Sequence, residues 1–444
     1  MPDPPTPSDS HITPPLPLPL PPHSPTPLPP RRKLRDRFGP GLIAGASDDN
    51  PSGIATYSQA GAQFGYGLGW VMLFSLPLMC AIQEISARIG RVTGRGIAGN
   101  LRRHYPKWPV RGLVALLLIA NTINLGADLG AMAAALELVV GGPKLAYVAL
   151  FAAVSVLLEV FVRYARYVAV LKWLTLSLFA YVGVALVVDV PWATVARAVV
   201  VPRLPGGGAL TVVVAILGTT ISPYLFFWQA EEEVEDTIAR PHAAPLIRAP
   251  GQAPAEFARI RFDTYVGMAF SNLVALFIIV TTAATLHAHG VTDIATSAQA
   301  AEALRPIAGP FVFAIFALGI VGTGMLALPV LAGSAAYAVG EVFGTHVGLA
   351  RPLRHAQVFY GLIAGATVLG AVAVNFSSLD AIKALFWTAV INGVVAVPIM
   401  AMIMALASRR DVMGDFALPR GLKAIGWTAT AVMAAAAAGM FATM

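Results

Sequence analysis

Asp48, Asp49, Asn50, Pro51, Ser52 and Gly53 interrupt a stretch, about Gly39–Ala60, that is otherwise apolar enough to lie in a membrane. Carboxylates, a carboxamide and a hydroxyl side by side form a set of hard oxygen donors, which suits hard divalent cations better than soft metals. Ionisable groups at membrane depth are costly and by default mark an ion or substrate path. The proline and glycine show how that cost is met. They interrupt the helix, and the freed backbone groups must then face a protein-lined cavity. A second break is expected at Gly218-Thr219-Thr220-Ile221-Ser222-Pro223, which offers hydroxyls and carbonyls without Met, Cys or His. An unwound turn presents carbonyls to a cation, and the half-helix ends add partial charges. Oxygen-only chemistry points to Mg²⁺, or to Mn²⁺ with a largely intact water shell.

The elements that must hold these donors follow from composition. The chain has 444 residues, 57% hydrophobic and 12% charged, and a mean hydropathy of +0.71. A soluble domain carries roughly 25% charged residues. The sequence therefore describes an all-α polytopic membrane protein in contact with a lipid bilayer. Its net charge of +7 reflects loop placement, not nucleic-acid binding. The single cysteine, Cys80, excludes a disulfide framework and a thiolate metal site. An apolar h-region is missing from the start, so no cleavable signal peptide is expected.

Residues 1–30 are rich in Pro, Ser and Thr and are expected to be disordered or extended. Arg31, Arg32, Lys33, Arg35 and Arg37 form a basic collar, completing a cytoplasmic tail at 1–38. Eleven segments follow, at about Gly39–Ala60, Leu68–Ile89, Gly112–Val140, Leu145–Val162, Tyr167–Val188, Ala209–Ala230, Thr264–Leu286, Gly309–Val342, Val358–Val374, Ala381–Ala407 and Leu422–Ala442. With the N-terminus inside, 24 of the 30 Lys and Arg fall before segment 1 or on inner loops and helix ends. That asymmetry predicts a cytoplasmic N-terminus.

Segments 1 and 6 carry the two breaks, and five spans from one to the other place them in opposite orientation. Pro223 alone would read as a packing kink. Matched breaks in corresponding halves instead point to a midplane site in an inverted-repeat transporter. The halves are expected at 39–190 and 209–407, with an eleventh helix at 422–444.

Other polar residues are candidates of lesser weight. Asn121, Asn124 and Asp128 lie on one stripe of segment 3. The two asparagines fit a water path or helix–helix hydrogen bonding equally, and Asp128 fits a path or buried pair. Glu84–Arg88 and Glu159–Arg163 read as structural i,i+4 pairs. The acidic run Glu231, Glu232, Glu233, Glu235 and Asp236 reads as a solvated helix end. His287 and His289 have no further metal ligands in view, and Asn392 is a weaker path candidate.

Several stretches together resemble the Nramp family of proton-coupled manganese and iron transporters. Gly39-Pro40-Gly41, Ala55-Thr56 and Gln59-Ala60-Gly61-Ala62-Gln63-Phe64-Gly65-Tyr66 match its first-span signature. Ser86-Ala87-Arg88, Val92-Thr93-Gly94-Arg95, Asp128-Leu129 and Met413-Gly414 add similar marks. The resemblance implies a LeuT-type fold, two inverted five-helix repeats plus an additional helix. It also implies site residues. The family's Asp-Pro-Gly-Asn motif reads Asn50-Pro51-Ser52-Gly53 here, so Asn50 and Gly53 hold its two metal-binding positions. Asp49, just before them, is expected to take over the missing charge. The family's Met-Pro-His reads Ser222-Pro223-Tyr224, and Thr219 holds the position whose carbonyl coordinates metal. Asn121 replaces an acidic residue linked to proton movement. These departures look like the Nramp-related magnesium transporters, a branch that moves a hydrated ion without proton coupling.

The expectation is a secondary transporter of divalent cations in the plasma membrane of a prokaryote, not an enzyme. Asp49, Asn50, Gly53, Thr219 and Ser222 would surround the ion. Asp48, Ser52, Asn121, Asn124, Asp128 and Tyr224 would line its surroundings, and no cofactor is needed. Small residues at 53 and 222 predict a roomy site. The rival is a Na⁺-coupled symporter of a small organic solute on the same fold. An intramembrane enzyme would need a nucleophile–base pair or metal triad, and neither is apparent.

Overall fold

A computed structural model describes residues 45, 47–162, 174–349, 351–376 and 380–443. The tail, the basic collar, the Gly39-Pro40-Gly41 motif, Arg163 and Arg166 lie outside the described residues. Among the described residues the secondary structure is helical, without strands. The principal helices are α1 (Pro51–Phe64), α2 (Trp70–Thr93), α3 (Lys107–Val140), α4 (Lys144–Phe161), α5 (Phe179–Val187) and α6 (Ala209–Thr220). They continue with α7 (Pro223–Ala239), α8 (Ala253–Thr285), α9 (Val312–Phe343), α10 (Gln357–Asn375), α11 (Ala381–Ala407) and α12 (Arg420–Thr443).

Nine stretches among the described residues are long and apolar enough to cross a bilayer. A tenth is added if Leu176–Val187 and Trp192–Val200, bent by 119°, form one span. The sequence predicts eleven, and the difference is local. Before the first break only Gly45, Ser47 and Asp48 are described, which leaves α1 as a half-helix. Segment 5 is described from Leu174 onward, and its chain turns sharply after Val187.

Both breaks form as the residue types dictate. Asn50 is extended (φ −70°, ψ 171°), its side chain accepts from the Gly53 N–H, and Pro51 opens α1. A carboxamide cap satisfies a donor that the first helical turn leaves free, and proline needs no donor there. Ile221 (φ −119°, ψ 56°) ends α6, Ser222 is extended, and Pro223 opens α7. Proline alone does not cause this. Pro77, Pro329 and Pro398 sit inside the continuous helices α2, α9 and α11.

Packing centres on the second broken segment. In Ala209–Ala239, 89% of the most apolar stretch is buried, against 22% in α4 and 33% in α12. The last two therefore line the lipid boundary. α8 lies along α1 and α2, α3 along α9 and α10, and α11 contacts α1, α3, α6 and α12. Close approach fixes α8 against the first break from both sides. A Cβ on Gly45 would stand 2.4 Å from the Gly267 carbonyl oxygen, and one on Gly61 2.4 Å from that of Ile279.

The acidic run does not form a solvated end. α7 continues through it to Ala239, and Glu231 and Glu233 are buried. The cause is α8, which begins at Ala253, well before the expected Thr264. Its early turns bring Arg259 to Glu233 and place the Arg259 Nε 3.0 Å from Glu256. Arg91 of α2 reaches Glu256 at 3.5 Å, closing an ion network across three helix ends. Glu84 and Arg88 pair at 2.6 Å as expected, and the Tyr265 hydroxyl also donates to Glu84. Glu159 accepts from Ser155, while its expected partner lies outside the described residues. His287 stands 2.7 Å from the Ala62 carbonyl, tying the ends of α1 and α8 together.

Candidate functional site

The two breaks face each other through their side chains. The Thr219 hydroxyl of α6 lies 2.9 Å from the Tyr57 hydroxyl of α1. Tyr224, in the first turn of α7, stands within electrostatic reach of Asp48, Asp49 and Asp128. Asp48 and Asp49 are 0% and 3% exposed, so neither carboxylate meets lipid or solvent. Both turn toward α8, where the Ser271 hydroxyl lies 2.7 Å from Asp48 Oδ2 and 3.1 Å from Asp49 Oδ1.

Around the first break, a hydroxyl chain joins three helices. The Ser52 hydroxyl donates to the Leu385 carbonyl of α11 and lies 3.2 Å from the Thr388 hydroxyl. Thr388 in turn reaches Asn124 Oδ1 of α3 at 3.2 Å. Asp128, one helical turn further along α3, faces the Ser52 backbone amide. The structure thus brings Asp48, Asp49, Ser52, Asn124, Asp128, Thr219 and Tyr224 to one place.

Three sequence-predicted residues are arranged differently. Asn121 points away from the breaks and donates to the Leu331 carbonyl and Ser334 hydroxyl of α9. On the shared stripe it is the helix-clamping member. The Asn50 carboxamide oxygen is taken by the Gly53 N–H at 2.8 Å. The Ser222 hydroxyl folds back onto the Gly218 and Thr219 carbonyls at 2.7 and 2.6 Å. Thr219 therefore presents a carbonyl already engaged by Ser222.

The expected roominess is absent in this conformation. A Cβ on Gly53 would meet the Asp48 carbonyl and the Tyr57 ring at 3.2 Å. The polar site residues of both breaks are at most 3% exposed, and Gly53 is buried. Among the described residues no group of three or more His, Cys, Asp or Glu is placed to hold a metal ion. Any cation site here must combine carboxylates with hydroxyls and carbonyls. Ser271 and Thr388 are the polar residues that sequence reasoning missed. A serine or threonine in an apolar helix commonly bonds its own backbone and so leaves no signature. Asn392 is buried on α11 with an unpartnered carboxamide oxygen.

Comparisons with known proteins agree with this architecture. The divalent metal cation transporter MntH of Klebsiella pneumoniae is 27% identical over 404 residues, covering 89% of this chain and 91% of that protein. The MntH of Burkholderia ambifaria is also 27% identical, over 89% of this chain and 86% of that one. Among solved structures, the Eremococcus coleocola manganese transporter, bound to an aromatic bis-isothiourea substituted compound, superposes with a TM-score of 0.69 at 17% identity. The match covers 90% of this chain and 85% of that chain. Mhp1, a nucleobase-cation-symport-1 family transporter in a closed conformation, gives a TM-score of 0.57 at 15% identity, over 92% and 93% of the two chains. These likenesses carry the fold, the LeuT-type inverted repeat that the paired breaks call for. The model of the Nramp (natural resistance-associated macrophage protein-like) family matches residues 41–443, and with it the chain belongs to that family.

Proposed function

We propose that the chain is a secondary transporter of divalent cations that moves Mg²⁺, Mn²⁺ or both by alternating access around the two breaks. Tight proton coupling is not part of this reading. One observation carries it: Asp48 and Asp49 are buried at the first break, beside the second, and among the described residues neither is paired with a basic side chain. Two uncompensated carboxylates in a low-dielectric setting are costly, and a divalent cation is the charge that balances them. The donor set is oxygen only, which favours hard ions. The names of the MntH relatives and of the manganese transporter support the same cargo class.

In this reading Asp49 supplies charge, and Asn50, Gly53, Thr219 and Ser222 border the ion directly or through water. For Asn50 and Ser222 to act directly, each must release the backbone group it now holds. Asp48, Ser52, Asn124, Asp128 and Tyr224 form the surrounding polar wall. The loop-charge asymmetry supports a cytoplasmic N-terminus, and the bacterial relatives support a plasma membrane.

Uptake by purified protein in liposomes tests the proposal, with Mg²⁺, Mn²⁺, Ca²⁺ and Fe²⁺ offered in turn, with and without a pH gradient. Mg²⁺ and Mn²⁺ should enter without proton influx, and Asp49→Ala should abolish entry. A strong Fe²⁺ preference with proton influx defeats the magnesium reading. Sodium-dependent uptake of an organic solute, with no divalent uptake, defeats the cargo class.

A further inference from the structure

We propose that Ser271 is a direct ligand of the transported cation, closing with Asp48 and Asp49 a three-oxygen corner at the face of α8. This rests on the reading of the chain as a divalent cation transporter. Ser271 lies near the centre of the apolar stretch Pro250–His289 and is fully buried. Its Oγ is within hydrogen-bond distance of both carboxylates, 2.7 Å from Asp48 Oδ2 and 3.1 Å from Asp49 Oδ1.

Proton counting limits how the three oxygens can hydrogen-bond to one another. A hydroxyl has a single proton, so it donates to one carboxylate and turns a lone pair toward the other. When both carboxylates are ionised each accepts only, so two oxygens face each other with no proton between them. A protonated carboxyl fills that gap in the absence of a cation, and a cation replaces its proton. Asp48 Oδ1 is also buried without a hydrogen-bond partner. A hard cation seated against the three oxygens answers each of these demands. The serine proton can then rotate toward a backbone carbonyl in the preceding turn, as serines in helices do.

The spacing fits. Adjacent oxygens around octahedral Mg²⁺, bound at about 2.0–2.1 Å, stand about 2.9 Å apart. The two separations at Ser271 bracket that edge. The Gly45–Gly267 contact lets α8 approach the chain just before the break. The corner moves Asp48 from the surrounding wall to the ion and seats the ion nearer α8, leaving Asn50 and Ser222, whose side-chain oxygens already serve their own backbone, to border it through water.

The test exchanges a hard donor for a soft one. Cys80 is the only cysteine, so Cys80→Ala gives a parent without thiols. In that background, Ser271→Cys should raise the ratio of Cd²⁺ to Mg²⁺ uptake by about 10-fold or more, because thiolates select soft metals. Adding Cd²⁺ to the purified variant should also produce a cadmium–thiolate charge-transfer band in the ultraviolet. Ser271→Ala should raise the half-saturating Mg²⁺ concentration by ~10-fold or more. An unchanged uptake ratio without the band overturns the proposal, as does wild-type Mg²⁺ half-saturation in Ser271→Ala. A folded parent that moves no divalent ion defeats the transport reading itself, an outcome the Ser271 variants cannot mimic.

Discussion

Asn50 carries a structural task at the position where the family places a charged ligand. Its carboxamide oxygen caps α1 through the Gly53 N–H, and this bond holds the break in shape. Aspartate caps helices about as well as asparagine. Asn50→Asp should therefore keep thermal stability and lower the half-saturating Mg²⁺ or Mn²⁺ concentration in liposome uptake. Asn50→Ala should lose about 1 kcal/mol of stability, seen as a lower melting temperature in detergent. Legibility at this scale follows chemistry. Asp48 and Asp49 stood out because charge is rare at membrane depth. Ser271 did not, because its significance comes from carboxylates 222 and 223 residues away.

At the scale of elements, helix breaks need more than proline. Pro223 breaks segment 6 beside Ser222 and Thr219, whose oxygens satisfy local backbone and side-chain groups. Pro77, Pro329 and Pro398 lie in helices that continue through them. The pairing of α8 with α1 depends on small residues. Gly61→Ala would put a Cβ 2.0 Å from the Thr282 Oγ1 and 2.4 Å from the Ile279 carbonyl. Overpacking of this kind costs about 1–3 kcal/mol. Gly61→Ala should thus lower the melting temperature and uptake together. Gly421→Ala, where nothing lies within 4 Å, should change neither. Helix ends were the poorly legible part. The acidic run reads as solvent-facing because like-charge runs are usually exposed, and only the early start of α8 brings Arg259 to it. Arg259→Met should strip Glu233 of its buried partner and cost about 3–5 kcal/mol by thermal unfolding. Adding Glu233→Gln should recover much of that loss.

For the whole molecule, loop charge predicts which side each end of a helix meets. In the Cys80→Ala background, Trp108→Cys and Arg197→Cys, both at exposed positions, should react with an impermeant thiol reagent from opposite faces of the membrane. Reaction of both from one face would reverse the orientation assigned to a segment. Arg88, Arg91 and Arg259 count toward the inner total although they are buried and paired. By itself, the sequence determined that the chain is a helical membrane protein, that two of its segments are interrupted, and that the donors at the breaks are oxygens. Each of these is a local matter of hydropathy, proline placement or side-chain chemistry. Only the tertiary structure decided where the donors point: Asn121 to α9, Ser222 and Asn50 to their own backbone, Asp48 and Asp49 to Ser271. Direction depends on how distant helices pack, and a glycine contact such as Gly45 against Gly267 is fixed only when the two segments meet.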